Sequence, residues 1–479
     1  MFDLLNSFMS FEYKIKLRFF SEFLTKISNF LIIPVITYSI GVQEYGYYVI
    51  IISVLTGLIP IFTLGLNFTI IKKLSNVNSL IQNSQKLFSC LYLIIAFTLI
   101  IAFLCMVISF FLNQYFILIF LTLISASFSS IQIVLFEMLR SKYQSNNFCY
   151  FQITDSFIFL AGIFILSKFN NLNLNYILII LIFNKFFIST LILFTLAKNK
   201  IISFHNITKE KLIFKTYILP GIIFIILGIS EWLINFSDKL IIGYYLDSVS
   251  LTIYFTAGLL SSIINSIGSV FWWELLPKLN EFKSKNQYPK IFNLIKQKNE
   301  NFIHLSNLTI IGITIVSPIL QNLLLNLDVG EKYFLVLIYF ISIFFHQIST
   351  GWEFFCYIEN KGKFVLINTI CWGLFSFICY LLLIPYLGLY GALTTLLITK
   401  LGSSLSLFLY SKKIGFKESI IKNNLNEYLI PFIISILLFF VIKKLSIINQ
   451  NMYMDSVSYL LISILTYFLI NNLIKKNRI

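Results

Sequence analysis

Long, uninterrupted apolar runs recur along the whole chain, and they constrain its fold more than any other feature. The run YLIIAFTLIIAFLCMVISFFL at 92–112 would be apolar on every face of a helix. A helix of about 18 or more such residues is long enough to cross the roughly 30 Å of hydrocarbon in a bilayer. Charged residues make up only 12% of the 479 residues, whereas soluble globular domains have about 25%. The sequence therefore predicts an all-α polytopic membrane protein.

The apolar runs divide into fourteen predicted membrane spans. Their ranges are 19–41, 46–70, 88–112, 115–139, 149–168, 174–197, 217–244, 249–273, 302–325, 333–357, 364–386, 388–411, 428–445 and 456–474. The polar stretch from Pro277 to Glu300 is interpreted as a connector between the two halves of the helix bundle.

Lysine and arginine are unevenly distributed between the predicted loops. With the N-terminus placed in the cytoplasm, 28 of the 36 basic residues lie in inner segments, 4 lie in outer segments and 4 lie within spans. Such a bias sets the orientation of helical membrane proteins, so both termini are predicted to be cytoplasmic in a bacterial inner membrane. The net charge of +16 is then explained by lysines that face anionic membrane lipids, and no nucleic-acid partner is expected.

Several functional classes are disfavoured by what the sequence lacks. It has no Walker-type glycine loop, and the six cysteines have neither paired spacing nor metal-ligand spacing. No disulfide, metal or bound cofactor is therefore expected. A membrane-embedded glycosyltransferase or polymerase would need a large extracytoplasmic loop or a catalytic acid cluster, and neither is present in the sequence. The chain is expected not to be an enzyme.

Ionisable residues inside the spans are the candidate functional residues, because a charge at the bilayer centre costs about 2.5–3.5 kcal/mol on insertion scales. Lys185 and Lys400 lie about half way along their spans, with no acid within one helical turn in sequence. A phosphate group in an aqueous cavity would be a suitable partner for either ammonium group. The alternative is an ion pair within one lobe, to an acid such as Asp155 or Glu353.

The other intramembrane charges lie on predicted helices 1 and 7. Glu22 and Lys26 are spaced i, i+4 and are expected to pair on one helix face. Asp238 and Lys239 are adjacent, so their side chains would point about 100° apart on a helix, and a tight pair between them is not expected. They are interpreted either as a clamp between helices or as substrate contacts. Glu231 is deeper in the same span and is a candidate for proton uptake.

Four stretches resemble a known family of membrane proteins. They are IGVQEYGYYVII at 40–51, LGLNFTIIKKLS at 64–75, LPGIIFIILGISEWLINFSDKLIIGYYLDSVSLTIYFTAGLL at 219–260 and LLLIPYLGLYGALTTLLITKL at 381–401. In this order and spacing they resemble the Wzx-type O-antigen or polysaccharide-unit flippases. These belong to the multidrug/oligosaccharidyl-lipid/polysaccharide (MOP) exporter superfamily, which also contains the multidrug and toxic-compound extrusion (MATE) transporters. The sequence departs from the family pattern at Asp247 and Thr252, where glycines are common.

The resemblance implies an architecture and a function. It implies an N-terminal lobe at 1–215, a C-terminal lobe at 216–415 and two accessory helices at 416–479, with a central cavity and alternating access. The implied function is movement of undecaprenyl-diphosphate-linked oligosaccharide units from the cytoplasmic to the periplasmic leaflet. Alternatives are a cation-coupled MATE-type drug exporter and a flippase for a capsule or teichoic acid unit.

The resemblance also suggests partners and roles for the intramembrane charges. Membrane lipids, a polysaccharide polymerase and the chain-length machinery are candidate partners, and a proton or sodium gradient is a candidate driving force. The expected cavity residues are Lys26, Lys185, Lys239, Lys400, Glu22 and Asp155. The candidates for ion or proton coupling are Glu231 and Asp238.

Overall fold

The computed structural model describes residues 2–66, 116–141, 144–169, 172–199, 219–273, 275–327 and 333–416, together with isolated positions between 92 and 103. Within these ranges the chain forms helices and no strands. In chain order the helices are α1 (Phe2–Ile40), α2 (Val42–Phe62), α3 (Phe116–Ser141), α4 (Ser145–Lys168), α5 (Leu174–Lys198), α6 (Leu219–Asn235), α7 (Ser237–Tyr245), α8 (Ser248–Ser261), α9 (Ile263–Trp272), α10 (Leu275–Ser284), α11 (Tyr288–Leu325), α12 (Tyr333–Ile358), α13 (Gly362–Leu387) and α14 (Leu389–Lys413).

The helices confirm the predicted all-α membrane architecture. In the described ranges, ten helical stretches are long and apolar enough to cross a membrane, and α6 with α7 makes an eleventh if this pair is one bent span. These eleven coincide with eleven of the fourteen predicted spans, including the one at 249–273. The predicted spans at 428–445 and 456–474 lie outside the described residues, and so does most of the span at 88–112.

The first of two compact units, Met1–Val249, is built from helices that bury apolar stripes against each other. Helix α1 packs against α4, and α3 packs against α5. Val134, Leu135 and Met138 of α3 are fully buried together with Ile188 and Ile192 of α5. These residues recur every three or four positions, so they lie on one face of each helix. The packing fixes the positions of the polar residues on the same helices.

Helices α6 and α7 also belong to the first unit, where they pack against α2. Glycines allow this close approach, as they often do between membrane helices. A Cβ atom at Gly228 would lie 2.7 Å from Cβ of Pro60, and one at Gly65 (φ +64°) would lie 2.1 Å from the carbonyl oxygen of Gly221. The lobe boundary at 215 implied by the resemblance remains a prediction, since the helix that follows it packs with α2.

The second unit, Ser250–Ile479, contains α12 packed between α11 and α14, with α13 also against α14. Polar side chains join these helices within an apolar interior. The Ser404 hydroxyl donates to the Phe345 carbonyl at 3.0 Å, and the Asn368 amide donates to the Ser403 carbonyl at 3.3 Å. Hydrogen bonds of this kind between helices are typical of membrane bundles.

The stretch from Pro277 to Glu300, interpreted as a connector, is mostly helical. Helix α10 covers its first part, and α11 begins at Tyr288, well before the predicted start of the span at 302. Pro289 suits the first turn of a helix. Lys296 and Glu300, at i and i+4, form an ion pair of 3.8 Å that supports a solvated helix. The change from polar to apolar residues near 302 marks the start of the apolar run but not the start of the helix.

Candidate functional site

A first group of polar residues joins α1 to α4 in the first unit. The Arg18 guanidinium forms an ion pair with Glu22 one turn later and donates to Oε1 of Gln152 on α4 at 2.6 Å. Nε2 of Gln152 donates to Oε1 of Glu22 at 3.3 Å. Gln152 therefore bridges both members of the ion pair, and the three side chains form a closed network between the two helices.

A second group surrounds Asp155, which lies three residues after Gln152 on α4. Oδ1 of Asp155 accepts hydrogen bonds from Gln132 of α3 and from Asn184 of α5, both at 2.9 Å. Nζ of Lys185 donates to Oδ1 at 3.1 Å and to Oδ2 at 2.8 Å. The side chains of Lys185 and Asp155 are only 18% and 19% exposed. One carboxylate thus ties together three helices through four donated hydrogen bonds.

These two networks contain three of the predicted site residues, Glu22, Asp155 and Lys185. Lys185 takes the alternative that the sequence left open, an ion pair with Asp155 inside one lobe. Glu22 forms an ion pair with Arg18, which lies one residue before the predicted span at 19–41. Lys26, one turn beyond Glu22 on α1, is partly buried.

Asp238 and Lys239 correct a prediction, because they do form a tight pair. Nζ of Lys239 lies 3.0 Å from Oδ1 of Asp238 and 2.5 Å from the carbonyl oxygen of Asn235. The side chain exposures are 4% for Lys239 and 0% for Asp238. The helix breaks at Phe236, where α6 and α7 meet at a bend of 43°. A lysine side chain leans back toward the N-terminus of its helix, so its ammonium group reaches this break.

The pair is therefore built into the helix break. The bend leaves the Asn235 carbonyl available to the lysine, and Asp238 lies in the first turn of α7, where the helix dipole favours negative charge. The Lys239 ammonium pairs with the Asp238 carboxylate and donates a hydrogen bond to the Asn235 carbonyl. Both charges and this backbone group therefore have partners in an apolar setting. Of their two predicted roles, this geometry matches a structural clamp.

Glu231 lies one turn before the break and is exposed. It lines a cavity of about 220 Å³ between α6 and α2, together with Thr56, Pro60, Trp232, Asn235 and Phe236. The indole Nε1 of Trp232 donates to the Ser53 carbonyl on α2 at 2.7 Å. The predicted coupling residue Glu231 thus lies at a pocket with aromatic walls.

Lys400 lies in the second unit, on α14, and is 4% exposed. The hydroxyls of Ser403 and Ser404 donate to its backbone carbonyl at 3.1 and 2.7 Å. Helix α12 packs against α14 and carries His346 and Glu353. Of the predicted site residues, Lys400 lies in the second unit and all the others lie in the first.

The uncharged members of these networks were not among the residues predicted from the sequence. Gln132, Gln152 and Asn184 are amides in otherwise apolar spans, and each donates to a carboxylate. Amide side chains at membrane depth were the available signal, because such groups need partners there. These amides were not predicted because only charged residues were taken as candidates.

Comparison with known proteins gives a result only at the level of structure. No protein-family model and no curated protein matches the sequence. The solved structure described as "Lipid II flippase MurJ, inward closed conformation" has a TM-score of 0.71 with 13% identity, covering 97% of this chain and 99% of that one. A multidrug resistance MATE family transporter of the MOP superfamily in an inward-facing conformation has a TM-score of 0.62 with 12% identity, covering 84% of this chain and 98% of that one. The chain has the fold of these two structures. The MATE multidrug transporter DinF-BH shares this fold, with a TM-score of 0.61 at 12% identity, covering 84% of this chain and 94% of that one.

The expected relation to the MOP superfamily is thus confirmed as a relation of fold. Identities of 12–13% leave the Wzx-type branch and the substrate as predictions. The chain is a multi-span helical membrane protein, and the solved structures that share its fold are described as a flippase or as transporters.

Proposed function

We propose that this protein is a flippase that moves undecaprenyl-diphosphate-linked oligosaccharide repeat units from the cytoplasmic to the periplasmic leaflet by alternating access. The observation that carries the proposal is the extent of the structural match. The lipid II flippase structure covers 97% of the chain, whereas the two MATE structures cover 84%. The difference, about 13% of 479 residues, is close in length to the segment 416–479, which was predicted to form two accessory helices. This favours a lipid-linked substrate over the drug-exporter alternative.

Fewer lysines are placed to bind an anionic substrate than the sequence suggested. Lys185 and Lys239 are paired with Asp155 and Asp238, and Lys400 is almost fully buried. Lys26 is only partly buried and lies next to the Arg18–Glu22 pair. We assign to Lys26 the contact with the diphosphate, a role suited to a lysine ammonium acting as a point charge. Lys185 and Lys239, through their ion pairs, then stabilise the helices of the first unit.

Coupling to a proton or sodium gradient is assigned to Glu231 rather than Asp238. The Asp238 carboxylate is fully buried and paired with Lys239, so it could take up a proton only if this ion pair were broken. Glu231 is exposed at a cavity, where a carboxylate can exchange protons with water. We place the protein in the bacterial inner membrane with both termini in the cytoplasm, where a polymerase and chain-length machinery would receive its product.

Genetic complementation tests this function. A strain that lacks the gene is expected to lose its surface polysaccharide and to accumulate lipid-linked oligosaccharide on the cytoplasmic side. The wild-type gene restores export, and Lys26→Ala restores it at a rate reduced about tenfold, as expected for loss of one charge-assisted phosphate contact. Lys168→Ala, at the exposed end of α4, is the matched control and restores export fully. Normal surface polysaccharide in the deletion strain would contradict the proposal.

A further inference from the structure

The cavity between α6 and α2, named here the Trp232 pocket, has a rigid aromatic wall. The Trp232 indole is held by its hydrogen bond of 2.7 Å to the Ser53 carbonyl. It also lies directly against α2, since a Cβ atom at Gly57 would be 2.7 Å from Cε2 of the indole. Phe236 adds a second ring to the lining. A ring that is already fixed loses little conformational entropy when a ligand packs against it.

The polar groups at the pocket are rich in hydrogen-bond acceptors. Thr56 donates its hydroxyl hydrogen to the Ser53 carbonyl at 2.8 Å, so its oxygen lone pairs remain for a ligand. Asn235 donates one amide hydrogen to the Glu231 carbonyl at 2.8 Å, which leaves its Oδ1 atom and its second hydrogen. The Glu231 carboxylate accepts hydrogen bonds when ionised. A ligand that fits these groups offers several donors and one acceptor.

We propose that the Trp232 pocket binds one sugar ring of the lipid-linked oligosaccharide, an inference that rests on the proposed function. A sugar ring combines hydroxyl donors around its edge with an apolar C–H face that packs on an indole. The volume of about 220 Å³ is below the roughly 300–1,000 Å³ of pockets for drug-sized ligands, so it suits a single ring rather than a whole repeat unit. The acidic Glu231 repels the diphosphate, which places that group elsewhere.

Binding of two probes to the full-length protein in lipid nanodiscs tests the inference. The probes are undecaprenyl diphosphate and the lipid-linked oligosaccharide extracted from a strain lacking the protein. The wild-type protein is expected to bind the oligosaccharide lipid more tightly. Trp232→Ala is expected to weaken binding of that lipid by about tenfold, and Trp232→Phe by roughly threefold. Neither variant is expected to change the affinity for undecaprenyl diphosphate.

A matched tryptophan in the second unit provides the control. The Trp372 indole also packs against a glycine, Gly402, and its Nε1 donates to the Ser406 hydroxyl at 3.4 Å, but it does not line the pocket. Trp372→Ala is expected to leave both affinities unchanged. Glu231→Gln keeps the shape of an exposed side chain, so it tests the pocket even if Trp232→Ala fails to fold. It is expected to weaken only the binding of the oligosaccharide lipid, by roughly threefold.

Three results would overturn the sugar site alone: equal affinity of the wild-type protein for both lipids, an equal loss for both lipids in the variants, or no loss at all. Carboxylates with aromatic rings also bind organic cations. If Trp232→Ala abolished binding of tetraethylammonium while the preference for the oligosaccharide lipid persisted, the pocket would be a cation site instead. If the wild-type protein bound neither lipid, the proposed function would fail together with this inference.

Discussion

Lys185 donates to both carboxylate oxygens of Asp155, at 3.1 and 2.8 Å, across the contact between α5 and α4. The two residues are 30 positions apart, and two amides complete the coordination of the carboxylate. This ion pair with its two amide donors stabilises the arrangement of three helices. Because Lys185 is already paired with Asp155, it is a weaker candidate for binding the phosphate of a substrate.

Replacing one member of the Lys185–Asp155 pair is expected to lower the free energy of unfolding more than replacing both members. Lys185→Met or Asp155→Asn alone leaves one uncompensated charge, and each should lower the free energy of unfolding by about 2 kcal/mol, below the roughly 3–5 kcal/mol of fully buried pairs. The double variant should recover to within about 1 kcal/mol of the wild type, because no charge is then left unpaired. Thermal unfolding in detergent measures all three. Additive losses in the double variant would show that the pair is not a unit.

The clamp at the helix break is expected to depend on residue order as well as on charge. Exchanging the two residues, as Asp238→Lys with Lys239→Asp, keeps an adjacent ion pair but moves the ammonium away from the Asn235 carbonyl, which lies four residues before Lys239. The exchange should therefore destabilise the protein by about 2 kcal/mol, similar to Lys239→Met. A melting temperature of the exchanged variant equal to that of the wild type would contradict the clamp.

The contact between Gly57 and Trp232 is expected to tolerate no added methyl group. Gly57→Ala places a Cβ atom 2.7 Å from the indole and should destabilise the protein by about 1–3 kcal/mol. Gly312 lies in α11, where an added Cβ atom would meet no other atom within 4 Å, so Gly312→Ala is the matched control. It should be neutral or stabilising by up to about 1 kcal/mol. Equal melting temperatures for the two variants would contradict the packing of α6 on α2.

The predicted orientation can be tested at two positions of the second unit, one at each end of α13. Asn360 lies in the turn between α12 and α13, on the predicted cytoplasmic side, and Tyr386 lies at the predicted outer end of α13 with 86% exposure. In a cysteine-free background, a membrane-impermeant maleimide added to spheroplasts should label Tyr386→Cys and should label Asn360→Cys only after lysis. The reverse pattern would invert the topology.

The membrane spans could be predicted from sequence because an apolar run is a local property. Eleven of the predicted spans coincide with described helices, including the one that contains the break at Phe236. Helix ends were predicted less well. Helix α11 continues through the charged residues before 302, since ion pairs one turn apart stabilise a helix that hydrophobicity alone does not reveal.

The partners of the intramembrane charges could not be predicted to the same degree. The choice of Asp155 by Lys185 depends on how α4 and α5 cross, which no local pattern specifies. The expectation for Asp238 and Lys239 was wrong because it assumed a straight helix. The bend at Phe236 and the length of the lysine side chain bring the two groups together. Arg18 lies just outside the predicted first span, yet it is 9% exposed and paired with Glu22.

Flipping in reconstituted vesicles tests the central claim most directly. The full-length protein is placed in liposomes that contain fluorescent undecaprenyl-diphosphate-linked oligosaccharide, and a membrane-impermeant quencher reports the fraction of lipid in the outer leaflet. We expect the protein to make the inner-leaflet pool accessible, with a slower rate for Lys26→Ala and an unchanged rate for Lys168→Ala. Vesicles that expel an organic cation while the lipid-linked oligosaccharide stays in its leaflet would contradict the account.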